Sequence, residues 1–257
     1  MNNNQIFDRE LLIKNLNRFS KNFEQSNFLF HEIANRLKEN ILDFKQEFND
    51  ILEIGARDGY LGEEISKIKN TKNLVQTNLT KDFAGIIIDD EKLELNQQFD
   101  LIINFLNLHF VNDVLGNLIK SKTLLKQDGI FIGCFFGGTT LKELREVFNK
   151  IELEIYGGIS PRIIPFIDVK TAGSLLQKAG FKNVITDSQI IEISYSSLLK
   201  LLQDLRNMGL GNILIDQSKK PITKKMLFLM ENLIKELYPD APLSFIVSFE
   251  VITITGF

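Results

Sequence analysis

The chain has 257 residues, of which 44% are hydrophobic and 25% are charged, and its net charge is -3, a composition typical of a soluble globular protein. One cysteine and two histidines are too few ligands for a disulfide framework, a structural zinc site or a non-haem iron site, so no metal centre is predicted. The 30 basic side chains are balanced by 33 acidic ones, which disfavours nucleic acid as a partner.

A helical cap is predicted for residues 1–48. Phe30, Ile33, Leu37 and Ile41 recur every three or four residues among polar side chains, which is the spacing of an amphipathic helix. The segment Met1–Glu10 has neither the apolar core of a signal peptide nor an Arg-rich transit pattern, and no run of 18 apolar residues follows it. We therefore expect a cytoplasmic protein without a transmembrane segment.

A core sheet is predicted for residues 49–195. Five short apolar runs predict its first strands: Asp50–Gly55, Asn73–Thr77, Gly85–Ile88, Phe99–Phe105 and Ile130–Phe136. Helices are predicted at Tyr60–Lys69, near 111–125, near 140–150 and at Val169–Lys178. Two more strands follow, at Phe181–Thr186 and Gln189–Tyr195. Continuous apolar strands between helices are typical of a parallel sheet that is covered on both faces.

The C-terminal part predicts a helical insertion before the last strand. Helices are expected at Ser196–Met208 and Ile222–Tyr238, so that the insertion spans 196–238, and the final strand lies within 243–257. No repeat interrupts this pattern. We therefore predict the α/β class, with a doubly wound, Rossmann-like sheet in one domain that spans 1–257.

The turn after the first strand is the candidate cofactor site. Free backbone N–H groups and a helix N-terminus converge at such a turn. Glu53, Gly55 and Gly59 are spaced as acidic-x-Gly-x-x-x-Gly, with Arg57 at the central glycine position of an acidic-x-Gly-x-Gly-x-Gly pattern. A dinucleotide fingerprint would need a glycine at 57 and at Tyr60, so NAD is not predicted.

The turn resembles the first motif of class I S-adenosylmethionine-dependent methyltransferases, and later segments are similar to one branch of that superfamily. The segments that carry the likeness are Phe99–Ile103, Leu108–Asp113, Leu125–Gly133, Phe136–Arg145, Gly157–Phe166, Asp204–Gly209 and Ile6–Arg9. This branch includes a biotin-synthesis methyltransferase that acts on an acyl carrier protein and a mitochondrial arginine hydroxylase that assists complex I assembly. The resemblance implies a methyltransferase fold and S-adenosyl-L-methionine as the cofactor.

The resemblance also assigns cofactor-binding roles to other residues. Asn78 stands where the superfamily has an acid that binds the ribose, and an amide accepts hydrogen bonds through only one oxygen. Asp89, with Asp90 as the alternative, matches the acid that contacts the adenine. The crossover between the second and third strands is too short for its usual helix. Asn104 and Phe105 complete the predicted cofactor side.

The acceptor substrate is expected beyond the ends of the fourth and fifth strands. His109 is the candidate general base, with a packed core histidine as the alternative. Four residues are predicted to lie on the substrate side: Gly137, Gly138, Ser160 and Arg162. Arg162 could recognise a carboxylate or pair with an acid of a partner. Thr140 and Glu143 fit a capping box, which makes Thr140 structural.

Arg57 is a cation at a helix N-terminus, where the helix dipole disfavours positive charge. It is expected to pair with Glu53, Asp58 or a ligand carboxylate, with a solvent-facing side chain as the alternative.

Two functions follow from the resemblance. The first is a methyltransferase that acts on a carboxylate, a small molecule or a protein side chain. The second is a complex I assembly factor that hydroxylates a subunit arginine or acts without catalysis on a degenerate fold. The partner is then a small molecule, an acyl carrier protein or a complex I subunit.

Overall fold

The strands of the computed structural model, which describes residues 5–238 and 245–257, form one mixed sheet. They are β1 (Asp50–Ile54), β2 (Asn73–Asn78), β3 (Ile86–Ile87), β4 (Phe99–Phe105), β5 (Leu125–Phe136), β6 (Val184–Tyr195) and β7 (Phe245–Gly256). Their order in the sheet is β3-β2-β1-β4-β5-β7-β6. The first five strands are parallel, and β7 runs antiparallel to both β5 and β6. The predicted α/β, doubly wound class is confirmed.

Helices cover both faces of the sheet. They are α1 (Arg9–Phe19), α2 (Phe28–Leu42), α3 (Tyr60–Lys69), α4 (Val114–Thr123), α5 (Lys142–Tyr156), α6 (Val169–Lys178), α7 (Leu198–Asn207) and α8 (Lys224–Leu237). Side chains of α2, α3, α5, α7 and α8 share one apolar cluster, and those of α4 and α6 share the cluster on the other face. Strand residues alternate between the faces, so Ile51 joins the first cluster and Leu52 the second.

Helix α1 builds a third apolar cluster at the carboxyl edge of the parallel strands. Leu12 and Leu16 of α1 pack there with Phe110 and with Ile213 of the segment after α7. The backbone N–H groups of Ile6 and Phe7 each donate to Asn112 Oδ1 at 2.9 Å. The N-terminal segment therefore lies over the edge of the sheet where such folds bind ligands.

Several predicted boundaries change in the structure. The two strands expected in 181–195 are one strand, β6, and β5 begins five residues earlier than Ile130, at Leu125. The start of the final strand, residues 243 and 244, lies outside the described residues. Residues 79–85 connect β2 to β3 without a helix, as the short spacing predicts.

The predicted capping box before α5 is wrong. Leu141, with φ 58°, occupies the N-cap and makes no side-chain cap. Glu143 instead accepts hydrogen bonds from the backbone and hydroxyl of Ser248, and Thr140 Oγ1 pairs with the backbone of Glu250 at 3.1 Å. Both side chains hold α5 to β7, so Thr140 is structural for a different reason.

Candidate functional site

The glycine turn between β1 and α3 packs tightly against the end of β4. Gly55 has φ +78°, and a Cβ atom there would lie 2.8 Å from both the Asn107 Cβ and the Phe105 carbonyl oxygen. The Gly55 N–H donates to the Thr77 carbonyl at 3.0 Å. Only glycine allows both this backbone conformation and this approach. The turn thus brings the ends of β1, β2 and β4 together.

Glu53 is fully buried beneath this turn. Its Oε2 accepts hydrogen bonds from the Gly62 N–H at 3.2 Å and from Gln76 Nε2 at 2.8 Å, whereas Oε1 has no partner among the described residues. Burial raises the pKa of the Glu53 carboxyl to about 8, and the two hydrogen bonds only partly oppose this. The carboxyl group is therefore mainly protonated at neutral pH, and its Oε1 is buried without a partner among the described residues.

The side-chain amide of Asn78, at the end of β2, is hydrogen-bonded within the chain through both its oxygen and its nitrogen. Its Oδ1 accepts a hydrogen bond from the Arg57 N–H at 3.0 Å, and its Nδ2 donates to the Ala84 carbonyl oxygen. The amide thereby fixes the glycine turn to the short β2–β3 connection. Its side chain lies at the position predicted for the ribose contact but is already hydrogen-bonded there.

Asp90 lines a cleft at the ends of the strands, together with Gly55, Arg57 and Asn78. Asp89 caps a 3-10 turn beside this cleft. The Asp90 carboxylate is buried and accepts hydrogen bonds from Asn107 Nδ2 at 2.6 Å and from Arg9 of α1. Asp89 accepts from the Glu91 N–H at 3.1 Å, and its side chain is 41% exposed. Asp90 therefore lines the cleft and Asp89 does not, whereas the resemblance favours Asp89 for the adenine contact.

Arg57 is buried, contrary to the solvent-facing alternative. Its guanidinium lies 5.8 Å from the Phe30 ring centre and 5.4 Å from the Phe83 ring centre. No carboxylate of the described residues comes within 4 Å, so the expected ion pairs with Glu53 and Asp58 are not formed. Burial lowers the pKa of Arg57 to about 10, which still leaves it charged. Aromatic faces stabilise this cation inside the cleft.

The remaining predicted cofactor residues lie at the end of β4. Asn104 is fully buried, donates to Asn117 Oδ1 at 3.3 Å and leaves its own Oδ1 without a partner in the described part of the chain. Phe105 meets Phe30 edge to face at 6.1 Å between ring centres. Glu53, Gly55, Asn78, Asp90 and Phe105 are thus brought to one edge of the sheet, as the parallel strands require.

Helix α1 and Arg57 fill the space between these groups. A cavity of only about 10 Å³ remains, with Leu16, Gly55, Arg57, Asn78 and Asp90 among its lining residues. That volume is close to the smallest that holds one water molecule. Arg9 and Leu16 were missed as site residues, whereas Asn107 was expected near the site because it follows the fourth strand; the only signal for Arg9 was the family-like segment Ile6–Arg9.

A second cavity, of about 260 Å³, lies beyond the ends of β4 and β5, between a 3-10 turn (Leu108–Phe110), α5 and α7. His109 lines it, is 5% exposed, and has no hydrogen-bond partner on either ring nitrogen within the described ranges. Burial, and secondly the charge of Arg57, lower the pKa of His109 to about 3. The ring is therefore uncharged at neutral pH, which agrees better with the alternative of a packed core histidine than with a general base.

The predicted substrate-side residues are held by internal contacts. Arg162 Nε donates to the buried Glu152 carboxylate at 2.7 Å, and Ser160 Oγ donates to the same carboxylate at 2.6 Å. Gly137 packs on β7, where a Cβ would lie 2.6 Å from Ile252, whereas a Cβ at Gly138 would meet only the Phe166 carbonyl oxygen, at 3.9 Å. Arg162 lines the 260 Å³ cavity, but its charge is matched within the chain.

Among the described residues, no group of three or more His, Cys, Asp or Glu side chains could hold a metal ion. None of the helices within residues 5–238 and 245–257 is long and apolar enough to cross a membrane.

Comparisons with known proteins identify several relatives of this chain. No family model matches the chain. It is 36% identical over 222 residues to the mitochondrial arginine-hydroxylase NDUFAF5 of Rattus norvegicus, which covers 80% of this chain and 64% of that protein's length. It is 40% identical over 195 residues to "Putative methyltransferase RP459" of Rickettsia prowazekii (strain Madrid E), which covers 72% of this chain and 85% of that protein.

More distant likenesses agree with these two. A malonyl-[acyl-carrier protein] O-methyltransferase of Gallionella capsiferriformans (strain ES-2) is 22% identical and covers 82% of this chain and 78% of its own. The crystal structure of a SAM-dependent methyltransferase from Thermotoga maritima has a TM-score of 0.53 at 15% identity and covers 95% of this chain and 98% of its own. The fold and the glycine turn define a methyltransferase-type domain. The chain belongs to the class I S-adenosylmethionine-dependent methyltransferase superfamily.

The polar groups of the cleft fit the cofactor of this superfamily in chemistry. The cleft is lined by a glycine turn, an amide on Asn78 and a carboxylate on Asp90, and the Glu53 carboxyl lies buried beneath the turn. The space between them does not admit it while Arg9, Leu16 and Arg57 stay in place. The cleft therefore has polar groups that suit the cofactor but is closed to it by α1 and Arg57.

Proposed function

We propose that this chain is an S-adenosyl-L-methionine-dependent enzyme that modifies a side chain of a protein substrate. The observation that carries the proposal is the set of groups at the carboxyl ends of β1, β2 and β4, where a fold of this superfamily keeps Glu53, Gly55 and Asp90 together. When bound, the cofactor supplies an electrophilic methyl group on a sulfonium centre.

The residues of this chain have positioning roles in the proposal. Gly55 lets the backbone approach the ligand, Asp90 accepts a hydrogen bond from the adenine amino group, and Asn78 offers its oxygen to the ribose once the turn relaxes. Asp90 becomes available only when Arg9 withdraws, so binding of the cofactor and displacement of α1 are coupled. Orienting the acceptor beside the cofactor then provides much of the rate. An arginine acceptor also loses a proton to solvent as its guanidinium nitrogen gains the methyl group.

The protein substrate is inferred from the relatives. Identity to the arginine hydroxylases reaches 36%, against 22% for the malonyl-carrier-protein methyltransferase. We therefore favour a polypeptide arginine over a carrier-bound acid as the modified group. A complex I subunit is the first candidate substrate.

Calorimetric titration of the full chain with S-adenosylhomocysteine tests the proposal directly. Binding with a stoichiometry of one, weakened at least tenfold by Gly55→Val, is expected. Ile68→Val, on the exposed face of α3, is the matched control. Absence of binding at millimolar ligand would overturn the proposal.

A second candidate is an assembly factor that acts without the cofactor. The closed cleft favours it, because Asp90 and Asn78 already have partners within the chain. Complementation of a deletion strain separates the two functions. If Gly55→Val restores complex I activity as fully as the wild-type gene, the non-enzymatic role is correct; a strain that needs biotin but has normal complex I would instead indicate carrier-protein methylation.

A further inference from the structure

The 260 Å³ cavity has an apolar inner end and a polar mouth. Buried side chains of β5, α5 and β7 line the inner end, among them Phe136, Leu144, Phe148 and Phe249. Of the lining residues that the structure describes, only Arg206 of α7 is exposed, so it marks the mouth. An occupant therefore meets apolar surface inside and a charged group at the opening.

The polar side chains deeper in the lining are not open to a ligand. Both ring nitrogens of His109 are buried. Thr140 Oγ1 pairs with the backbone of Glu250 at 3.1 Å. Arg162 Nε donates to the Glu152 carboxylate at 2.7 Å, and the buried Nη2 lies 2.7 Å from the same carboxylate. Binding at the inner end therefore depends on apolar contact.

The mouth, by contrast, carries accessible donors and one unmatched positive charge. Arg206 makes no ion pair or side-chain hydrogen bond within residues 5–238 and 245–257, and no Asp or Glu is among the lining residues. The partly exposed side chains of Gln217 and Ser218 add an amide and a hydroxyl group. Because Glu152 already matches Arg162, the surplus charge at the mouth is that of Arg206.

Buried contacts hold the end of α7 that carries Arg206. Ser26 Oγ donates to Asp204 Oδ1 at 2.8 Å, and Asn207 Nδ2 donates to Ser26 Oγ at 3.1 Å. Gly209, with φ +73°, follows the helix in the left-handed conformation that glycine adopts without strain. These contacts fix the backbone on both sides of Arg206, so its guanidinium stays at the mouth.

These features define the chemistry of the occupant. The inner end favours an apolar body, and a charge buried there would lose its hydration. At the mouth, the planar guanidinium group suits a carboxylate, which also carries the single negative charge that one arginine balances. The volume lies between a cavity of about 150 Å³ that takes benzene and the pockets of about 300 Å³ and above that take drug-sized ligands.

We propose that this cavity binds a free aliphatic monocarboxylate, with its alkyl chain against the phenylalanine and leucine side chains and its carboxylate on the Arg206 guanidinium. The flexible chain fills the inner end, and the carboxylate stays at the mouth, where water still reaches it. The site uses no residue of the cofactor cleft, so this proposal does not depend on the proposed function.

Titration of the full chain with butanoate, hexanoate and octanoate tests the apolar part. The affinity should rise about fourfold for each methylene group that the cavity buries. Isothermal calorimetry measures the three dissociation constants under the same buffer and salt. Equal affinities for the three acids would overturn the proposal.

Replacement of Arg206 tests the charged part. Arg206→Gln should weaken octanoate binding at least threefold and leave 1-octanol binding unchanged, because the alcohol has no charge to pair. Lys178→Gln, exposed on α6 at the other face of the sheet, removes the same charge and should leave octanoate binding unchanged. Unchanged octanoate binding in Arg206→Gln, or an equal loss for acid and alcohol, would overturn the role of Arg206.

A second pair of variants locates the alkyl chain independently of Arg206. Leu202→Trp on α7 should fill the cavity and weaken octanoate binding at least tenfold, whereas Leu199→Trp, on the exposed side of the same helix, should not. Equal binding by the two variants would refute the location.

Discussion

At the scale of single residues, burial has opposite effects on two titratable groups of the site. It favours the protonated form of Glu53 and the unprotonated form of His109, and both groups are uncharged at neutral pH as a result. The charge that remains in the cleft is on Arg57 and on the Arg9–Asp90 pair. A ligand that enters must compete with those charges.

Glu53→Gln should remove a pH-dependent loss of stability. The folded-state pKa of Glu53 is raised from 4.5 to about 8, so the free energy of unfolding falls as the pH rises through this window, by about 5 kcal/mol at most. Urea denaturation at pH 5 and pH 9 should show a smaller decrease for the variant than for the wild type. The same decrease in both proteins would mean that Glu53 is ionised in the folded state at pH 7.

His109 should not titrate between pH 5 and pH 8. Its folded-state pKa of about 3 lies below the ordinary value of 6.5, so stability is lost as the pH falls below 6.5, where the unfolded chain takes up the proton. NMR of the two histidine rings checks this, with His31→Gln to assign the signals. A midpoint of His109 near 6.5 would contradict the described packing.

At the scale of elements, α1 covers the cleft, and hydrogen bonds to Glu152 hold the loop after α5 against that helix. Arg9 reaches three acids around the 3-10 turn Asp90–Lys92, and Glu152 holds both Ser160 and Arg162. Each contact joins a helix to a loop or turn whose position cannot be predicted from hydrophobic periodicity.

Arg9→Ala should loosen the contact between α1 and the cleft. The buried Asp90 then loses its cation, which lowers the free energy of unfolding by about 3 kcal/mol. S-Adenosylhomocysteine should bind at least tenfold more tightly, because Asp90 is free to accept from the adenine. Calorimetry measures both affinities, and Arg18→Ala on the exposed side of α1 is the control. An affinity equal to that of the wild type would show that α1 is not the barrier.

Glu152→Ala should release the loop after α5. Ser160 and Arg162 lose their shared carboxylate, so the backbone around Arg162 becomes accessible to protease. Limited trypsin digestion should cut after Arg162 faster in the variant than in the wild type. Glu154→Ala, exposed on the same helix, should leave the rate unchanged; equal rates in all three proteins would place the stability of this loop elsewhere.

At the scale of the whole molecule, the sheet carries the candidate site and the N-terminal segment packs over it. The parallel strands place the carboxyl ends of β1, β2 and β4 side by side, and α1 closes them with the third apolar cluster. Opening therefore involves an element that packs on several others, not one side chain.

Hydrogen exchange should report this coupling. S-Adenosylhomocysteine at saturation should raise amide exchange in α1 and lower it in the glycine turn, residues 54–59, because the ligand displaces the first and contacts the second. Mass spectrometry of peptic fragments measures both regions. Protection of α1 on binding would show that the cleft opens by another route.

Local periodicity and turn chemistry specify the α/β class, the strand–glycine-turn–helix at Gly55 and the missing crossover helix, so these features could be predicted from the sequence. So could the strand ends that carry polar groups. Long-range packing sets three other features: Asp90 and not Asp89 faces the cleft, Arg57 lies between phenylalanine rings, and Glu152 holds Arg162. These outcomes depend on contacts such as Arg9 to Asp90, which join residues 81 positions apart, and no local pattern contains that information.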